Sequence, residues 1–145
     1  MWKAEGIFAA ILFGFDRDHL YLRLDPDERA ASRRTLLTID LLITLKERQD
    51  KFSFALDPSE AERVVLSSST PSGEYQERLF SGSMACRTII ELAIPFSDLQ
   101  IEVGQDLGLS LLVLEKQLEV ARYPYHNPVI FPRPGDDFEA AMWRV

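Results

Sequence analysis

Cysteine is almost missing from this chain: Cys86 is the only one in 145 residues. An internal disulfide is therefore excluded, and a lone thiol beside a strand reads as a small buried hydrophobe. Histidine is nearly as scarce. His19 and His126 are the only two, and neither stands in a nucleophile motif. A glycine-rich phosphate loop is absent as well. Positive charge is in short supply, with 16 Lys and Arg against 23 Asp and Glu and a net charge of −7. Partners such as nucleic acid or an anionic membrane need a cationic surface, so both are disfavoured. Long apolar runs are lacking too. The longest candidate, GIFAAILFGF at 6–15, is far short of the roughly 20 residues that span a bilayer. It is also a poor signal peptide, because Glu5 precedes it, no small-residue cleavage site follows, and it leads directly into Asp16, Arg17 and Asp18. Cytoplasmic residence is the resulting expectation.

What is present is alternation. Thr88, Ile90, Leu92, Ile94 and Phe96 recur at period two, with Glu91 on the other face, which predicts a strand buried on one side. Pro95 removes a backbone donor, and Ser97 and Asp98 suit a single capped helical turn, so the ladder is expected to break there. Beyond Gly104, Leu107, Leu109, Leu111 and Val113 resume the pattern, and Glu115-Lys116-Gln117 turns it back through Leu118 and Val120.

The segments before residue 88 behave alike. Ile7, Ala9, Ile11 and Phe13 oppose Phe8, Ala10 and Leu12, a doubly apolar strand that calls for cover on both sides. Leu20, Leu22 and Leu24 form its hairpin partner across Asp16 and Asp18. The polar stretch 25–34 reads as a loop or one short helix begun by Pro26. Leu37, Ile39, Leu41, Ile43 and Leu45 face inward, and after a charged turn at 46–51 Phe52, Phe54 and Leu56 complete a second hairpin. Segments 63–66 and 74–80 read as edge strands. Prolines in 124–134 predict an extended strap across the surface, followed by a last strand at 138–145.

Eight to ten strands with no long amphipathic helix, repeat or internal boundary predict an all-β antiparallel two-sheet sandwich over residues 1–145. A chain of this length buries roughly 68–70% of its unfolded surface, so one core suffices.

Three segments carry a resemblance: GFDRDHLYLRLDP at 14–26, ELAIPFSDLQIEVGQDLGLSLLVLE at 91–115, and ARYPYHNPVIFPRPGDDFEAAMW at 121–143. In this order they resemble the C-terminal domain of bacterial proteins related to glycoside hydrolase family 57. That domain is similar to the C-terminal domain of glucodextranase and, more distantly, to DOMON-like and family 9 carbohydrate-binding sandwiches. The resemblance covers nearly the whole chain. It implies a non-catalytic accessory module, the C-terminal part of a larger protein, associated with a catalytic domain.

The residues allow several chemistries. Paired-carboxylate hydrolysis needs two acids facing across a cleft roughly 5–10 Å wide, whereas Asp136, Asp137 and Glu139 are near neighbours and read as a solvated turn. Asp16, Asp18, Asp25 and Asp27 are oxygen donors at the two ends of one strand and could hold Ca²⁺, the one cofactor considered beyond none. Haem, a DOMON-related ligand, would need Met84, Met142, His19 or His126 as axial ligands, with nothing to pair them. Polysaccharide or oligosaccharide binding uses an aromatic ring against a pyranose face with polar groups on the hydroxyls. Its candidates are Tyr21 with Arg23, Tyr123, Tyr125, His126 and Asn127 on the strap, and Trp2 and Trp143 near the termini. Leu112 and Leu114, opposite the inward row, leave packing on a catalytic domain or a second copy as the other partner class.

Overall fold

The computed structural model describes residues 7–28, 34–57, 59, 63–69, 72–124, 127–135 and 141–144. Two antiparallel sheets pack face to face, as the alternation predicts. The smaller has the order β12-β1-β2-β8-β7, built from β1 (Phe8–Phe15), β2 (His19–Pro26), β7 (Ser83–Cys86), β8 (Ile90–Pro95) and β12 (Ala141–Arg144). The larger has the order β10-β9-β3-β4-β5-β6, from β3 (Leu37–Thr44), β4 (Gln49–Ala55), β5 (Val65–Ser69), β6 (Tyr75–Arg78), β9 (Asp106–Glu115) and β10 (Leu118–Tyr123). A further strand, β11 (Val129–Pro132), pairs with the first half of β9.

Leu20, Leu22, Leu24, Ile90, Leu92 and Ile94 from one sheet meet Ile39, Leu41, Ile43, Phe52, Leu109, Leu111 and Val113 from the other, each at most 1% exposed. Period-two burial is what makes each sheet one-sided. The chain crosses between sheets at the predicted break: Pro95 ends β8 and a single turn, α1 (Phe96–Leu99), follows. The β9–β10 hairpin closes through Lys116 and Gln117, both at positive φ, the backbone of a two-residue turn whose twist matches the flanking strands.

Several expectations are corrected. β1 is apolar on both faces but not covered on both: a bulge between Phe8 and Ala10 shifts its register, so Phe8, Ile11 and Phe13 are buried while Ala9 is exposed and Ala10 and Leu12 are half-buried. One extra residue exchanges the faces of everything before it. Pro26 ends β2; of the stretch expected to be a loop or one short helix, residues 29–33 lie outside the described residues, and a 3-10 turn covers Arg34–Leu36. Strand β5 is an inner strand between β4 and β6, so of the two segments expected at an edge it is β6 that lies there among the described residues. The strap is partly sheet, since β11 takes the half of β9 that β10 leaves unpaired. Strand β7 was not anticipated. Asp98 does not cap its own turn; its carboxylate accepts from the Ser81 amide (2.8 Å) and hydroxyl (2.6 Å) and holds the β6–β7 connection. Cys86 is buried as expected, yet Arg34 Nη2 donates to its sulfur at 3.3 Å.

The charged turn also proves shorter than predicted. β4 begins at Gln49, and Asp50 lies on its inward face with no exposure. One carboxylate oxygen accepts from Arg48 Nε (3.1 Å) and Ser68 Oγ (2.6 Å), the other from Arg78 Nη2 (3.1 Å). Those arginines also donate to the Leu99 and Asp98 carbonyls. The end of α1 is thereby tied to the larger sheet.

Candidate functional site

Register on the smaller sheet decides which polar residues become neighbours. On β2, Tyr21 lies opposite Ala93 and Arg23 opposite Glu91 of β8. On β7, Ser83 lies opposite Ala93 and Ala85 opposite Glu91. All six alternate with buried Leu20, Leu22, Leu24, Met84, Ile90 and Leu92, so they occupy the outer face. Large side chains on β2 stand beside small ones on β8 and β7. The result is a groove of about 450 Å³ lined by Tyr21, Arg23, Ser83, Ala85, Glu91 and Ala93.

The tyrosine is held in place. Its hydroxyl donates to Asp16 Oδ2 at 2.6 Å, while Asp16 Oδ1 accepts the amides of Asp18 and His19, each at 2.8 Å. The His19 ring stacks on the Tyr21 ring at 5.7 Å between centroids. Arg23 reaches Asp25 with Nε at 2.8 Å and Nη2 at 3.4 Å, a fork that fixes the guanidinium plane. Bonding to Asp25 raises the already high Arg23 pKa further. A positioned ring, a planar donor and a carboxylate on one face can stack against an apolar ring surface and bond its hydroxyls.

Donation to Asp16, followed by burial and the charges of Asp16 and Asp18, pushes the Tyr21 pKa up to about 12. For Asp16 burial acts upward, but the bonds from Tyr21, Asp18 and His19 and the His19 charge outweigh it and lower the pKa. The stabilisation on the tyrosine side is therefore complete below the ordinary value of 10.0 and is lost as pH rises through about 12. The aspartate contribution is present above 3.8 and is lost as pH falls below that. We expect an alkaline absorbance titration of the protein, minus that of Tyr21→Phe, to leave one phenol ionising near pH 12. A difference component near 10 would show that the bond to Asp16 does not form.

Of the residues singled out in the sequence, only Tyr21 and Arg23 are brought together here. Tyr123 ends β10 on the other sheet and packs edge-on against Phe8, 6.0 Å between centroids. Asn127 is exposed ahead of β11. Trp143 pairs through its backbone with Phe13 in β12. Trp2, Tyr125 and His126 lie outside the described residues, as do Asp136, Asp137 and Glu139. The calcium reading finds no support: Asp16 is engaged by Tyr21, Asp25 by Arg23, and Asp18 faces Arg17 at 3.7 Å. Among the described residues no group of three or more His, Cys, Asp or Glu side chains is arranged for a metal ion.

Sequence reasoning missed Ser83, Ala85 and Ala93, and placed Glu91 only on an outer face. The outward alternation of Glu91 and Ala93 was legible; the pairing of β2 with β8 was not. Comparison with protein-family models, with curated proteins and with solved structures finds no match to this chain.

Proposed function

We propose that this domain is a non-catalytic accessory module of a glycoside hydrolase family 57-like enzyme, and that it binds carbohydrate, an α-glucan, in the groove on its smaller sheet. The supporting observation is the juxtaposition of a hydrogen-bonded tyrosine ring with an oriented guanidinium and Glu91 beside a floor of small residues. Among the described residues lining the groove, Glu91 is the one carboxylate. Hydrolysis by paired carboxylates would need two, which favours binding over turnover. The enzyme association rests on the resemblance of segments 14–26, 91–115 and 121–143. Titration calorimetry with maltooligosaccharides is the test. Tyr21→Ala and Arg23→Ala are each expected to weaken binding by about tenfold, roughly 1.4 kcal/mol, and Arg23→Ala to do so without lowering the melting temperature appreciably. Absence of binding across a broad glycan panel sinks the reading.

A second reading has its own observation. On the outer face of the larger sheet Leu42, Leu112 and Leu114 are half-buried, and Ile130 is 65% exposed. This apolar stripe favours packing against a catalytic domain. Should glycans fail while a linked domain protects these leucines from exchange, that role replaces the first.

A further inference from the structure

Strand β6 is an edge. Among the described residues it pairs only with β5, so one side of its backbone offers unpaired donors and acceptors. Its neighbourhood reads Glu74-Tyr75-Gln76-Glu77-Arg78, acidic at one end and basic at the other. Such a segment matches an antiparallel copy of itself.

We propose that two copies of this chain pair through β6 about a two-fold axis at Gln76, joining their larger sheets edge to edge. Three constraints select this register. Continuing a sandwich sheet requires inward residues to meet inward residues, so the axis must pass through a residue rather than between two. An axis at Glu77 would set two carboxylates opposite each other, which is repulsive. An axis at Gln76 instead sets Glu74 opposite Arg78 of the second copy and Tyr75 opposite Glu77 of the second copy. The Lys51 ammonium, 4.2 Å from the Tyr75 ring centroid, then stands beside that incoming carboxylate. No like charges stand directly opposite each other in this register, and the interface is isologous, so assembly stops at two.

The register makes a sharp test possible. In a Cys86→Ala background, Gln76→Cys places two thiols directly opposite, within the Cα separation a disulfide spans. In Glu77→Cys the thiols lie on diagonal positions about 7–8 Å apart or more, beyond easy bridging. We expect sedimentation velocity to show a concentration-dependent dimer, mild oxidation to cross-link Gln76→Cys as the major product, and Glu77→Cys to remain largely uncross-linked. Glu74→Lys should weaken dimerisation by about tenfold, because it sets a second cation opposite Arg78 at two symmetric positions. A monomer at all concentrations overturns the proposal. So does a dimer in which Gln76→Cys fails to cross-link or Glu77→Cys links equally well.

Discussion

Asp50→Ala is expected to lower stability by about 3–5 kcal/mol, the usual consequence of removing one partner from a buried ion pair. The carboxylate has no solvent exposure, while the Arg48 and Arg78 side chains are only 27% and 25% exposed. Without it, two guanidinium groups stay near the end of the core, and Ser68 loses its acceptor. Their remaining bonds run to the Asp98 and Leu99 carbonyls and, from Arg78 Nε, to Ser68 Oγ at 2.6 Å, so much of the strain falls on α1 and on the crossing between sheets. At roughly 2–4 °C per kcal/mol for a chain of this size, the melting temperature should drop by about 6–20 °C. Arg78→Met alone is also expected to destabilise. Replacing Arg48, Asp50 and Arg78 together with apolar residues should recover much of the loss, because the desolvation of all three charges is then avoided. A change below about 1 kcal/mol for Asp50→Ala would mean that solvent reaches the network and the carboxylate is not structurally needed.

Phe52→Ala is expected to cost about 3–5 kcal/mol as well, by a different mechanism. The ring is fully buried and meets Phe80 edge-on, 5.7 Å between centroids. Its strand neighbours Leu41 and Leu66 are also buried, and a packed sandwich relaxes poorly around a lost aromatic ring. Denaturant unfolding should show the midpoint falling with little change in slope. Leu118→Ala is the contrast, since Leu118 is 71% exposed at the β9–β10 turn and should change stability by no more than about 0.5 kcal/mol. If the two substitutions cost the same, the interior is not packed as described.

The difference between these sites bears on what alternation can reveal. Phe52 was placed correctly because its neighbours at two-residue spacing, Phe54 and Leu56, are apolar. Asp50 continues the same inward row, but a charged residue next to Lys51 and Arg48 reads as a turn. Only the arrival of Ser68 and Arg78 from β5 and β6 makes its burial tolerable. β7 escaped notice for a related reason: Ser83, Met84, Ala85 and Cys86 give a four-residue alternation of small side chains, too short to stand out. The bulge in β1 was likewise invisible, because a run apolar on both faces carries no parity to betray a slipped register.

By itself the sequence determined the class of the protein: one-sided strands, tight turns and the break at Pro95 follow from side-chain period and backbone chemistry, which act over a few residues. Tertiary structure decided the rest. The groove needs Tyr21 and Arg23 from β2 beside Glu91 and Ala93 from β8, residues about seventy positions apart that meet only because β2 and β8 pair. Which strands become neighbours is set by how both sheets cover a shared core, a global condition that no local pattern contains.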